Sequence, residues 1–274
     1  MCYNTAKNFD VDQLFDHYSA AFESLEISDE VKSDWRPLFR DLGFDLNYAP
    51  IVTSNGIRMF QWGFIGPNAK SAEQAEKLRR GNLNCVHEDM YTTPTFKEAA
   101  VKHRRCLIPV LGGFESQHIN YGKKEPLIQP YYFYLDQPLT MFSFGGLYTI
   151  WQDPRTGTFI PTYTVLTTQA NKRMSEIHNS KLRMPVIIDR NDYQDWLDPD
   201  LTMDEETKLC QPFQDGRINA YTVSNIVNKK KQTRHDPDPA NFKEITDEAP
   251  PIPIPEVRPK KSKPMNDNSQ GSLF

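Results

Sequence analysis

Apolar positions along this chain follow two periods, and the period changes often. Leu14, Tyr18 and Phe22 recur at i, i+4 and i+8, which predicts a helix from Asp10 to about Phe22. Asp10 and Gln13 give its start a capping-box pattern. Arg58 to Ile65 is apolar and aromatic enough for a strand. Ser71 to Arg80 reads as a short charged helix stopped by Gly81. Thr95 and Glu98 again match a capping box, predicting a helix to about Arg104 that gives way to a strand over Cys106 to Leu111. Further strands are predicted at Tyr131 to Leu135, Met141 to Tyr148 and Phe159 to Thr167, with the turn Asp153-Pro154-Arg155-Thr156-Gly157 between the last two. Ala170, Met174 and Ile177 share one face of a helix expected over Thr168 to Ile177. A strand at Met184 to Ile188, a short helix at Asp192 to Leu197 and a strand at Ile218 to Val227 complete the pattern. The elements mix without regular β-α-β alternation. The expected class is therefore α+β, with a mostly antiparallel, barrel-like sheet flanked by short helices.

Composition changes near Lys229. Lys229 to Pro239 is charged and broken by proline, and Glu248 to Pro264 is rich in proline and lysine. Such a stretch buries too little apolar surface to order itself. One domain is expected over 2–232 and a flexible tail over 233–274. Hydrophobic residues make up 38% of the 274 residues, enough for a real core. No apolar run approaches ~20 residues and no signal-peptide pattern follows Met1, so a cytoplasmic protein without a membrane span is expected. The cysteines, Cys2, Cys85, Cys106 and Cys210, lack CxxC spacing, which fits reduced thiols. Cys85 and His87 alone are too few ligands for a metal site, and neither metal nor cofactor is expected. A net charge of −4 argues against a general polyanion binder. Contact with nucleic acid would need a local basic surface or covalent capture.

Chemistry enters at the second residue. Initiator methionine is normally clipped before a small side chain, so the mature chain is expected to begin with Cys2. That residue would then carry an α-amine titrating near ~8 beside a thiol titrating near ~8.5. An amine and a thiol so placed capture an aldehyde: the amine forms an imine, and the sulfur closes a five-membered thiazolidine.

Six segments in register carry a resemblance. They are Cys2-Tyr3-Asn4, Trp62-Gly63-Phe64-Ile65, Asn84-Cys85-Val86-His87-Glu88, Cys106-Leu107-Ile108-Pro109 with Gly112-Gly113-Phe114-Glu115, Phe144-Gly145-Gly146-Leu147-Tyr148, and His178 followed by Arg183-Met184-Pro185. Val223-Ser224 also fits. Together they resemble the SRAP family (SOS-response-associated peptidase), whose members cap abasic sites in single-stranded DNA. The resemblance implies Cys2 as nucleophile, Glu115 as the acid/base carboxylate beside it, and Asn84 as a hydrogen-bonding amide. It implies His178 as a proton shuttle and Arg183 as a phosphate grip. It also implies the function: a sensor of abasic sites in single-stranded DNA that becomes covalently attached through Cys2 during the damage response. A lyase-like nick could follow when the ring fails to close.

The DNA-gripping set is thinner than the family's. Tyr3 and Asn4 stand where Gly-Arg is usual, and Val86 replaces an arginine. Asn68 lies where the family has its Pro-x-Trp, and Ser116 replaces an aromatic. The expected DNA contacts are therefore Trp62, Arg183, Asn4, Arg104 and Arg105, with Arg79 and Arg80 as further substitutes. The C-terminal Gln270, Leu273 and Phe274 are similar to the short peptide by which replication proteins dock on a sliding clamp. Two rival readings follow. One is a cysteine peptidase using Cys2, Glu115 and His178. The other is a non-catalytic replication adaptor held to the clamp by its tail.

Overall fold

A computed structural model of the chain describes residues 2–119, 124 and 127–223. The strands are β1 (Asn4–Lys7), β2 (Leu38–Leu42), β3 (Tyr48–Thr53), β4 (Gly56–Trp62), β5 (Asn84–Val86), β6 (Arg105–Val110), β7 (Gly112–His118), β8 (Ile128–Leu135), β9 (Phe142–Gln152), β10 (Phe159–Gln169), β11 (Arg183–Pro185), β12 (Ile187–Ile188) and β13 (Ile218–Thr222). The helices are α1 (Val11–Ser19), α2 (Asp29–Asp34), α3 (Ala72–Gly81), α4 (Pro94–Val101), α5 (Lys172–Ile177), α6 (Tyr193–Leu197) and α7 (Met203–Leu209).

The predicted turn at Asp153 to Gly157 joins β9 and β10, which pair antiparallel from Gln152↔Phe159 to Gly146↔Val165. Around them a ring of pairings, β10-β4-β3-β6-β9-β10, closes a five-stranded barrel. The ladders are antiparallel except where β10 meets β4 and β5, which run parallel to it. A second sheet, in the order β13-β8-β7-β1-β2, is antiparallel throughout. The fold is thus α+β with a mostly antiparallel, barrel-like sheet.

Neighbouring residues of the barrel wall belong to different apolar clusters: Ile51 and Val52, Ile108 and Leu107, Val165 and Leu166. Both faces of the wall are therefore buried, which explains why these strands read as unbroken hydrophobic runs. One cluster gathers Ile51, Trp62, Ile108 and Val165 with Phe133 and Ile218 of the second sheet. Cys2 lies in that cluster.

Local chemistry sets most boundaries. At α1 the expected capping box is complete: Gln13 N–H donates to Asp10 Oδ1 at 2.8 Å, and Asp10 N–H donates to Gln13 Oε1 at 3.0 Å. The box expected at Thr95 and Glu98 does not form. Pro94, pre-set for helical φ and lacking an N–H, starts α4 one residue earlier, and Glu98 instead meets Lys102 one turn on at 2.7 Å. The helix expected from Thr168 begins only after the Asn171 cap. Thr167, Thr168 and Gln169 continue β10 against β11, the geometry that β-branched side chains favour. Gly112 and Gly113 do not make a turn; they lie within β7. A Cβ at either would fall 2.4–2.5 Å from the Tyr132 or Phe133 ring, so only glycine admits β8 at this distance. The boundary near Lys229, the 233–274 tail and its Gln270, Leu273 and Phe274, with Ser224 and the end of the Ile218–Val227 strand, lie outside the described residues.

Candidate active site

Strand β1 enters the second sheet between β2 and β7, with Asn4 opposite Phe114 and Thr5 opposite Gly113. This fixes the chain just before it, where Cys2 lies two residues ahead of Asn4. The Cys2 side chain is 0% exposed, and its sulfur lies 3.3 Å from the Asn4 carbonyl oxygen. A Cβ on Gly113 would come within 3.4 Å of that sulfur. Side chains two apart on a strand share a face, so Glu115 projects from β7 on the side where the sulfur lies.

Burial, and then the Glu115 charge, push the Cys2 thiol well above its usual pKa. The same two causes raise the Tyr3 phenol. The sulfur therefore rests protonated at neutral pH, and any attack by it would require a base. Glu115 is 6% exposed, and its Oε1 is buried with no hydrogen-bond partner among the described residues. An unpaired buried carboxylate oxygen costs stability and calls for an explanation.

His178 supplies the opposite wall. It caps the C-terminus of α5 and is 5% exposed. Its Nδ1 lies 2.9 Å from the Arg183 carbonyl oxygen, which can only accept, so Nδ1 carries the proton. That leaves Nε2 to exchange protons, and it lies 3.9 Å from Glu115 Oε2. This is beyond a direct hydrogen bond but within strong electrostatic reach. Two amides hold the wall in place. Asn179 brackets His118 at the end of β7, accepting its N–H at 2.9 Å and donating to its C=O at 3.0 Å. Gln117 donates to the Glu176 carbonyl at 3.1 Å and accepts from the Tyr131 hydroxyl at 3.2 Å. Neither amide has a signature in sequence, because each acts only when α5 packs on β7.

Asn84 lies on β5, beside β10 on the edge opposite β11. Both atoms of its amide are buried without hydrogen-bond partners among the described residues. Glu115 and Asn84 thus carry unused hydrogen-bonding capacity, as expected of groups that meet a polar ligand. Arg183 is committed instead: its guanidinium forks onto both Glu88 oxygens at 2.7 Å and reaches the Thr167 carbonyl oxygen. Partial burial opposes ionisation of Glu88, but these bonds outweigh it and hold the carboxyl below its usual pKa.

Of the other expected DNA contacts, Trp62 and Arg105 are enclosed. Trp62 is 1% exposed; its ring stacks on Tyr163 and its indole N–H donates to the Leu83 carbonyl at 2.9 Å. It is a core residue, with no free face for a base. Arg105, 2% exposed, binds the Trp196 carbonyl oxygen at 2.8 Å and pairs with buried Glu206 at 3.5 Å. It braces α6 and α7 and is closed to phosphate. Arg104 is part-exposed beside Glu98 and Thr149. Asn4 accepts from the buried Arg40 guanidinium at 3.0 Å, so a cation does approach the position where the family usually has arginine, from β2. A buried network below the site also has no sequence signature. Lys7 Nζ donates to Asp41 and to the Tyr163 hydroxyl, each at 2.8 Å, and Asn47 donates to the second Asp41 oxygen at 2.8 Å.

Fold and site together define a closed β-barrel protein whose N-terminal strand carries a buried cysteine to a carboxylate and an imidazole. Residues 1–230 match the SOS response associated peptidase (SRAP) model, and the chain belongs to that family. It is 32% identical over 180 residues to the abasic site processing protein YoqW of Bacillus subtilis, covering 65% of this chain and 74% of YoqW. YoaM of the same organism, also named an abasic site processing protein, is 28% identical over 227 residues, covering 81% of this chain and 87% of YoaM. The abasic site processing protein HMCES of Xenopus tropicalis is 28% identical over 62% of this chain and 53% of its own length. A crystal structure of a Bacteroides thetaiotaomicron protein superposes with a TM-score of 0.76 at 27% identity, covering 88% of this chain and 99% of that one.

Proposed function

We propose that this protein captures abasic sites in single-stranded DNA, forming a thiazolidine between the ring-opened deoxyribose and Cys2 once Met1 has been removed. The observation that carries the reading is the unpartnered Glu115 oxygen on the sulfur's side of β7, with His178 Nε2 across from it. The names of the relatives, abasic site processing proteins, supply the substrate class.

The steps balance without cofactor or metal. The Cys2 amine attacks the C1′ aldehyde, and the carbinolamine loses its hydroxyl as water, with His178 Nε2 taking the proton the nitrogen sheds and passing it to the departing hydroxyl. The sulfur then adds to the imine carbon. Its proton passes to Glu115 and from there to the imine nitrogen as the ring closes. Asn84 offers a donor and an acceptor to the sugar without competing as a base. If the ring does not close, β-elimination from the imine would nick the strand, a lyase-like side reaction.

The peptidase reading uses the same Cys2, Glu115 and His178, with Glu115 taking the thiol proton, and differs in predicting release of a peptide. Docking of the tail on a sliding clamp through Gln270, Leu273 and Phe274 is a separate part of the proposal. Deleting 270–274 should abolish clamp binding and leave the Cys2 chemistry intact; equal affinity without them rejects it. The four cysteines are all free thiols, which supports a reducing, cytoplasmic setting.

The test is to mix the protein with single-stranded DNA carrying one abasic site and resolve the products under denaturing conditions. Wild type should give a stable shifted band, Cys2→Ala none, and Cys2→Ser at most a band that needs borohydride to persist. A band of wild-type strength from Cys2→Ala would reject the proposal, as would none from wild type with Met1 removed.

A further inference from the structure

Phe44 presents its ring to solvent beside the residue that follows the nucleophile. The side chain is 40% exposed, and its ring centroid lies 5.1 Å from that of half-buried Tyr3, with the planes tilted by 38°. The exposed ring stands on fixed backbone. Gly43 N–H donates to the Tyr3 carbonyl at 2.8 Å, and Leu46, buried and left-handed at φ 54°, closes the one-turn 3₁₀ segment Gly43–Asp45. The Arg80 guanidinium, about half exposed, reaches the Phe44 carbonyl oxygen at 3.4 Å while also pairing with Glu76 at 2.7 Å.

An abasic nucleotide has no base of its own. An aromatic surface next to the nucleophile therefore meets the π-face of a neighbouring base, and base–aromatic stacking is the sequence-tolerant way to hold a single strand. We propose that Tyr3 and Phe44 form a stacking platform for the base adjoining the abasic nucleotide, with Arg80 at its edge to meet the next phosphate. This deepens the function proposed above and rests on it. It also accounts for a departure: this chain places a ring at residue 3, where the family often has glycine, while Trp62 is buried and cannot stack on a base.

The test separates binding from chemistry. Equilibrium affinity of the full chain is measured for single-stranded DNA with one tetrahydrofuran residue, which mimics the abasic sugar but has no aldehyde. Phe44→Ala should bind about tenfold more weakly, whereas Phe44→Tyr should match wild type. The deficit of Phe44→Ala should vanish when the nucleotides on both sides of the tetrahydrofuran also lack bases. Arg80→Ala should flatten the dependence of log affinity on log salt by about 0.7. Unchanged melting of each variant excludes misfolding. Equal affinity of Phe44→Ala and wild type overturns the platform. So does an equal deficit on DNA without flanking bases, or no measurable binding by wild type; an unchanged salt slope removes Arg80. Failure of the covalent reading shows instead as no cross-link to a true abasic site, whatever these affinities are.

Discussion

Two polar clusters are buried within the same few strands, and they differ in one respect. Around Lys7 the described groups are matched: the ammonium meets Asp41 and Tyr163, each Asp41 oxygen accepts a bond, and the Trp62 and Tyr163 rings lie 5.3 Å from the nitrogen. On the Cys2 side one Glu115 oxygen is left waiting, and on β5 both ends of the Asn84 amide likewise have no partner among the described residues. A satisfied buried network stabilises and specifies a fold, whereas an unsatisfied one costs stability and persists where a ligand completes it. The first cluster is structure; the second is where the proposed chemistry falls.

The contrast is broken first by exchanging the two kinds of damage. Glu115→Gln should slow cross-linking to abasic single-stranded DNA by about 10²–10³-fold, measured as single-turnover rates, because it removes the base that takes the thiol proton. Its melting temperature should hold or rise, since a buried charge is gone. Lys7→Met should do the reverse. It strands the Asp41 carboxylate, costs about 3–5 kcal/mol, and lowers melting by roughly 10 °C. The molecules that remain folded should cross-link within about threefold of the wild-type rate. If Glu115→Gln unfolded the protein, or Lys7→Met abolished reactivity in folded molecules, the division would fail.

Asn84→Ala sharpens the same comparison with a smaller effect. Removing an amide with no partner should change stability by less than about 0.5 kcal/mol in chemical denaturation, while cross-linking slows about tenfold. Asn179→Ala is intermediate in kind. Losing its two bonds to His118 should cost about 1–2 kcal/mol. It should also slow cross-linking a few-fold, because His178 is then less firmly held.

The smallest expected effect is on titration. Burial and the Glu115 charge raise the Cys2 thiol, so alkylation followed by mass spectrometry of the N-terminal peptide should have its midpoint above the ordinary value near ~8.5. Glu115→Gln removes a negative charge that opposes the thiolate, so the midpoint must move down. An upward or absent shift would place the carboxylate away from the sulfur.

Much of this division was legible in the sequence, for identifiable reasons. The capping box at Asp10, the β9–β10 turn and the unbroken apolar strands are local signals, and the barrel uses them as they stand. Cys2 could be named from its own chemistry, an amine and a thiol on one residue, whereas Glu115 and His178 could be named only through the resemblance to the SRAP family. What escaped depended on distant partners. Gly112 and Gly113 show their role only when the rings of β8 are laid against them. Thr167 and Thr168 suggest a helix start until β11 pairs beside them. Trp62 and Arg105 suggested DNA contacts because indole and guanidinium serve that role at a surface, and only the folded chain shows both enclosed. Lys7, Asn179 and the exposed face of Phe44 carry no pattern that a linear reading could weigh.

The central claim is tested most directly at the cross-linked residue itself. The abasic-DNA adduct is digested with nuclease and protease, and the N-terminal peptide is fragmented in a mass spectrometer after alkylation and, separately, after borohydride. The prediction is a deoxyribose remnant on a peptide beginning at Cys2, with the sulfur refractory to alkylation and the mass unchanged by reductant, as a closed ring requires. A remnant on a lysine, on a peptide that retains Met1, or on the amine alone with an alkylatable thiol would contradict it.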